Sequence, residues 1–247
     1  MEEERDLREA LATGEKLDDI IIRASVDENL RKRVIELLDD DLWTVQKNAL
    51  KVILSLEDLS EEFYDQLISK LMVMIRRSEA VPLTQEIAKG FGILSKKFPE
   101  KIRRVIPVIF ANYRIGDPKI KINMAYVLEE IMRQNPTLLT NVFRDISFML
   151  SSREATDKLT ALNFVAALAE NGTRYVTPFL PKLFLLLDDR DELVRASTVE
   201  VLLGIAGSNE KLKGIIISKL EEYSNDPSPL VRKKIEEGLL RLRFLKR

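Results

Sequence analysis

The sequence predicts an all-α solenoid of helical hairpins, each hairpin covering the next. One hydrophobic pattern recurs in six blocks at a spacing of 37 or 38 residues, marked by Val45, Leu83, Ile120, Asp157, Val194 and Val231. Within every block the apolar residues return at helical intervals, and no sustained period-two alternation marks a strand. A unit of this length cannot bury its apolar face alone, so regular repetition over most of the chain means that neighbouring units stack.

The second half of each block is an amphipathic helix. Eight positions after the markers stand Ile53, Phe91, Leu128, Val165, Leu202 and Leu239; eleven after them stand Leu56, Leu94, Ile131, Leu168, Ile205 and Leu242. At 100° per residue, positions 0, +4, +8 and +11 fall within about 80° of one another, a single apolar stripe. Upstream, Leu30, Ile68, Val105, Val142, Phe179 and Ile216 stand fifteen residues before the markers, with Val34, Met72, Ile109, Ile146, Leu183 and Leu220 four residues later. That interval places each pair on one face of a first helix.

Turn chemistry sets the boundaries. Asp117-Pro118, Asp191-Glu192 and Ser228-Pro229 place an N-cap acceptor before a second helix, with proline at the first helical position in two of them. Phe98-Pro99, Asn135-Pro136, Thr177-Pro178 and Ser60-Glu61-Glu62 mark first helices. First helices are predicted near 27–40, 60–77, 99–114, 136–151, 174–188 and 209–224, and second helices near 42–57, 81–97, 118–134, 154–170, 191–207 and 228–245. Residues 2–24, interrupted by Gly14, read as a shorter, atypical pair. The expectation is one repeat domain, 1–247, with a capping pair at 1–25 and six repeats of about 37 residues over 26–247.

Composition narrows the chemistry. The 247 residues include no cysteine and no histidine, which removes disulfides, thiolate metal sites and the commonest general base and transition-metal ligand. Gly90-Phe91-Gly92 sits in a helical pattern and lacks the strand and third glycine of a dinucleotide loop, so it reads as close helix packing. Carboxylate pairs such as Glu129-Glu130 are adjacent in sequence and diverge on a helix. No enzyme, catalytic residue, metal or cofactor is expected. The start of the chain has no basic-then-apolar leader, and no run approaches a bilayer span, so a cytoplasmic protein without membrane contact is expected.

The stretch Leu186-Leu187-Asp188-Asp189-Arg190-Asp191-Glu192-Leu193-Val194-Arg195 resembles the HEAT repeat, an armadillo-like unit, with its Asp, Val-Arg and following apolar helix. Asn225-Asp226-Pro227-Ser228-Pro229-Leu230-Val231-Arg232 resembles it nearly as well, and Leu38 to Gln46 keeps the aspartate but has glutamine for arginine. The middle units are degenerate: Ser78, Ile115 and Ser152 stand in the aspartate column held elsewhere by Asp40, Asp189 and Asp226. The resemblance implies a right-handed α-α superhelix with second helices on its concave side, and an interaction scaffold binding a protein partner there. It also implies that the aspartates accept backbone N–H groups at the turn while Arg195 and Arg232 brace the adjoining unit.

Candidate contact residues come from the second-helix positions that face away from the core. Position +6 reads Lys51, Lys89, Tyr126, Asn163, Glu200 and Glu237; position +13 reads Asp58, Lys96, Arg133, Glu170 and Gly207. The early half is basic and the late half acidic, and Lys51, Lys89, Lys96, Tyr126, Arg133 and Asn163 are the expected partner contacts. Trp43 stands at a turn, where packing over a neighbouring hairpin is the favoured reading over anchoring a partner.

Charge is segregated although the formal net is −1: residues 1–41 hold 14 acids and 7 bases, 69–121 hold 12 bases and 4 acids, and 229–247 hold 7 bases and 2 acids. The alternative function is therefore nucleic-acid binding through 69–121, in the manner of the HEAT-like alkylpurine DNA glycosylases, although few aromatic residues are available for stacking. The oppositely charged ends would also suit head-to-tail association, and the oligomeric state is not set by the sequence. Abundant Lys, Arg, Glu and Ile with no Cys matches the bias of heat-adapted proteins. Thermal unfolding followed by circular dichroism should accordingly give a Tm above about 65 °C, the top of the usual mesophile range; a Tm inside that range contradicts the compositional reading.

Overall fold

Every regular element among the described residues is helical in the computed structural model, which describes residues 2–57 and 59–244. Two compact units divide the chain, Met1–Ile131 and Met132–Arg247. The first contains α1 (Glu2–Thr13), α2 (Leu17–Val26), α3 (Glu28–Glu36, continued by a 3-10 turn), α4 (Trp43–Ser55), α5 (Glu61–Arg77), α6 (Val81–Lys97), α7 (Pro99–Ile115) and most of α8 (Pro118–Gln134). The second contains α9 (Phe143–Met149), α10 (Ala155–Ala169), α11 (Thr173–Val176), α12 (Leu180–Leu186), α13 (Glu192–Ser208), α14 (Glu210–Glu222) and α15 (Pro229–Phe244). In each unit second helices pack on second helices, α4 on α6 and α10 on α13 on α15, and each also packs on the first helix of its own hairpin. This is the stacked-hairpin arrangement of an α-solenoid.

The caps follow the residues that predicted them. Asp191 Oδ1 accepts from Leu193 N at 2.8 Å and Val194 N at 3.2 Å, Asp117 Oδ1 from Ile120 N at 2.9 Å, and Ser60 Oγ from Phe63 N at 3.2 Å. The Ser228 hydroxyl is used differently, donating to Glu192 Oε2 at 2.6 Å. Gly14, at φ 77°, and Lys16, at φ 55°, turn the chain between α1 and α2.

Two predicted first helices are broken. Residues 136–142 are a 3-10 segment before α9, opened by Pro136, and Thr137 Oγ1 donates to Asn135 Oδ1 at 2.5 Å. Short polar side chains that bond locally compete with the regular ladder. Between 173 and 186 the chain passes from α11 through a 3-10 turn to α12, because Pro178 and Pro181 lack the N–H groups that a continuous helix needs. The preceding Asn171-Gly172 dipeptide turns the chain after α10, with Gly172 at φ 111°.

The core columns hold where neighbours cover them. All six +11 residues, Leu56, Leu94, Ile131, Leu168, Ile205 and Leu242, are buried, and each contributes roughly 1.5–3 kcal/mol through the surface it removes from water. Leu239 in the +8 column is only half-buried, since no helix beyond α15 covers it among the described residues. The upstream register slips in two units: Met72 and Val105 are half-buried, and Leu71 with Ile75, and Ile102 with Ile106, fill the core in their stead. Gly90 is the close approach expected of it; a Cβ there would lie 3.3 Å from Leu54 Cδ1 and 3.4 Å from Leu71 Cδ1.

Repeats are fastened by a polar bracket that returns with the period. In the second unit Arg195 reaches the next repeat and forms a bidentate pair with Asp226, Nε–Oδ2 2.8 Å and Nη2–Oδ1 3.0 Å, both residues being buried. Asp226 Oδ1 also accepts from Ser228 N at 2.7 Å, and Arg195 Nη1 donates to Asp189 O at 2.8 Å. Lys158 makes the same reach to Asp189 at 2.5 Å, and Asp189 accepts from Asp191 N at 2.9 Å. In the first unit Arg8 grips Asp40 with Nε and Nη2, and Asp40 accepts from Leu42 N. Ser78 and Thr84 occupy the acid and base positions of one middle repeat and share a 2.8 Å hydrogen bond.

A second set of ties comes from asparagine. Asn48 Nδ2 donates to Leu11 O at 2.7 Å, Asn123 Nδ2 to Ile75 O and Ser78 O at 2.9 and 3.0 Å, and Asn171 Nδ2 to Arg133 O at 2.7 Å. Each amide satisfies carbonyls that a helix end leaves unpaired in the preceding hairpin.

Burial of Asp40, Asp189 and Asp226 works to raise their pKa values, and the cationic partner together with the turn N–H more than reverses it, so all three lie below the ordinary carboxylate value. A depressed folded pKa supplies stability above the unfolded value of about 3.9 that is lost as pH falls through the folded one. Asp226→Ala should cost about 3 kcal/mol at pH 7, because it strands a buried guanidinium. Arg8→Ala, which removes a solvent-exposed guanidinium, should cost less than Asp226→Ala. Urea melts at pH 7 and pH 3 check both: the two losses shrink at the lower pH, and equal losses or pH-independent ones contradict the bracket.

Candidate partner-binding surface

Second helices bury the stripe at 0, +4, +8 and +11, which leaves the +6 and +13 columns on the solvent side. Among the described residues of these columns none is buried: Lys89, Lys96, Asn163, Glu200 and Glu237 are exposed, and Lys51, Tyr126 and Arg133 are half-buried. Asp58 lies outside the described residues.

The expected contacts divide between the units. Lys51 on α4 and Lys89 and Lys96 on α6 belong to the first unit, and the structure brings their two helices side by side. Tyr126 stands on α8 in the same unit. Arg133 and Asn163 belong to the second unit, where Arg133 Nε pairs with Glu170 Oε1 at 2.8 Å and its charge is already answered.

Pairing separates these columns more sharply than sequence charge does. In the second unit Glu200 is held by Lys234, and Glu237 lies 3.9 Å from Lys233. In the first unit the side chains of Lys51, Lys89, Lys96 and Lys97 have no ion pair or hydrogen bond among the described residues. The surrounding basic segment is less open than its count suggests. Lys70 pairs with Asp39, Lys101 with Asp65, Lys119 with Glu79 and Arg103 with Glu100, while Arg76 donates to Asn112. Of these ties, Lys70–Asp39 and Lys101–Asp65 reach acids outside 69–121, so part of that segment's net charge is answered by neighbouring hairpins, a fact that depends on neighbours in space and has no sequence signal.

Trp43 departs from the packing expectation. It is 40% exposed at the start of α4, and Lys47 Nζ lies 5.3 Å from its ring centroid. Val81 holds the same place at the start of α6 and is 54% exposed. Val81 has no place in the columns counted from the markers, because position −2 lies beyond the helix face; the apolar character that it shares with Trp43 at that position is its sequence signal.

The α15 surface is polar where α13 is apolar. In place of the buried Ala196, Val199 and Ala206 of α13 it carries Lys233, Glu236 and Arg243, all exposed. That is the composition of a capping repeat. An open cleft of ≈ 560 Å³ between α1, α2 and α3 is rimmed by Asp6, Asp19, Lys16, Arg23 and Arg33, charges of both signs. Among the described residues no helix is long and apolar enough to cross a membrane, and no three carboxylates are placed to share a metal ion.

A HEAT-type repeat family, described as the repeat of uncharacterized protein PH0542, matches residues 39–83. No curated protein matches the chain. A solved chain from the structure in which Kap95p binding induces the switch loops of RanGDP to adopt the GTP-bound conformation superposes with a TM-score of 0.63 at 14% identity, over 92% of this chain and 32% of that one. The archaeal HEAT-like repeats protein from Thermococcus onnurineus NA1 matches at 15% identity over 98% and 97% of the two chains, with a TM-score of 0.49. A designed armadillo repeat protein matches at 16% identity over 85% and 98%, with a TM-score of 0.43.

Trp43 is the one tryptophan of the sequence and reports on this surface alone. Iodide should quench its fluorescence more strongly than caesium, since Lys47 concentrates anions at the ring, and Lys47→Glu should reverse the order. Equal quenching by the two ions contradicts the placement of Lys47. The repeat match over residues 39–83, the stacked hairpins and the returning bracket together give a HEAT-like α-solenoid fold.

Proposed function

We propose that the chain is a non-enzymatic scaffold that binds a partner protein along its second helices, with Lys51, Lys89, Lys96, Tyr126, Arg133 and Asn163 as contact positions. The observation that carries this reading is the contrast in pairing. Within the +6 and +13 columns Arg133 is answered by Glu170 and Glu200 by Lys234, whereas the side chains of Lys51, Lys89 and Lys96 on the solvent faces of α4 and α6 have no partner among the described residues. The sequence offers no His or Cys for catalysis, and the fold presents repeated side chains at fixed spacing, which suits an extended partner. Kap95p and RanGDP are an instance of protein binding in a structure with this fold, and the same class of role is assigned here.

Affinity capture from the native extract with wild-type chain and with Lys89→Glu/Arg133→Glu tests this. A partner protein retained by the wild type should be depleted at least tenfold on the double variant, with helical content unchanged by circular dichroism. A partner retained equally by both places the contact elsewhere.

A further inference from the structure

The rows on α4 and α6 carry more than charge. Residues four apart lie above one another on a helix, so Trp43, Lys47 and Lys51 form one row on α4. Val81, Gln85, Lys89, Ile93 and Lys97 form another on α6. Lys51 and Lys89 hold the same place in successive repeats, and the two helices pack side by side. Both rows therefore begin with an exposed apolar side chain, Trp43 or Val81, and continue to an unpaired lysine. Further along α6, Ile93 is 36% exposed, next to the unpaired Lys96 and Lys97. Opposing charge is nearly missing: α4 has no Asp or Glu, and α6 has Glu86 alone.

We propose that this face of α4 and α6 binds an acidic amphipathic segment of a partner protein, seating apolar side chains on Trp43, Val81 and Ile93 and carboxylates on Lys51, Lys89 and Lys97. The assignment rests on the protein-binding reading above and specifies the partner's chemistry. Eight residues of helix rise about 12 Å, which is the distance along the axis from each apolar start to its lysine. An extended segment covers that span in about four residues. The partner thus carries an apolar residue followed by a carboxylate about two turns of helix or four extended residues away. Exposed ion pairs are individually weak and salt-sensitive, so the apolar contacts are needed for a stable complex. A nucleic acid fits less well. Phosphates come at short regular intervals, whereas cations here alternate with Val81 and Ile93, and Trp43 is the single exposed aromatic on the two helices, Phe91 being buried.

Trp43 emission supplies the readout for the full chain. It is titrated with four probes: a Glu/Leu amphipathic peptide, a Glu/Ser peptide of equal charge, a Lys/Leu amphipathic peptide and single-stranded oligodeoxythymidine. The Glu/Leu peptide should bind with a blue shift, at least tenfold more tightly than the Glu/Ser peptide, and the Lys/Leu peptide should not bind. Lys51→Glu/Lys89→Glu should weaken Glu/Leu binding at least tenfold with unchanged circular dichroism, and Val81→Ser should weaken it severalfold. Equal binding of the two acidic peptides, indifference to the double variant, or tighter binding of oligodeoxythymidine overturns the proposal. If the Glu/Leu peptide fails while a captured protein still distinguishes wild type from Lys89→Glu/Arg133→Glu, the acidic specificity is wrong and the scaffold reading stands. If neither discriminates, both fall.

Discussion

The carboxylate at the turn between the two helices of a repeat is the constraint on which the rest depends. Asp226 does two things with one oxygen pair: it closes its own turn by accepting from Ser228 N, and it receives the guanidinium of Arg195 from the repeat before. A local turn is thereby made into a joint between repeats. Hydrophobic burial is the larger energy in such a stack, but it is non-directional and tolerates sliding. The bidentate pair is directional, and it fixes the register in which the +11 stripe of one second helix meets the next. Asp189 with Lys158, and Asp40 with Arg8, repeat the arrangement.

That joint also divides the charged surface. Where a lysine, arginine or glutamate has a partner one repeat away, as in Arg133 with Glu170 or Lys234 with Glu200, it serves the stack. Where no opposite charge among the described residues pairs with it, as at Lys51 and Lys89, the cation remains available to another molecule. Stability and recognition thus draw on the same columns, and the local complement of acids decides which role a position takes.

Much of this was legible in the sequence, because the physics of the repeat is periodic. The columns at +4, +8 and +11 marked buried faces, and Asp191, Asp117 and Ser60 marked caps, since a 3.6-residue period and a short acceptor before a helix are local properties. Three features were not. The 3-10 breaks around Thr137 and Pro181 lie within otherwise apolar patterns. The asparagines Asn48, Asn123 and Asn171 do their work on carbonyls of a preceding hairpin, which a single-helix wheel does not display. Which lysines stay unpaired, and that Trp43 stands exposed under Lys47, depends on neighbours brought together by stacking.

Native-state hydrogen exchange on the wild type and on Arg195→Met is the most direct measurement of whether the bracket couples one repeat to the next. The account predicts that the variant loses protection at Ser228 N and through the first turns of α15 together, while amides of α10 keep theirs. Protection of α15 unchanged from the wild type would contradict it, leaving apolar burial alone as what holds the repeats in register.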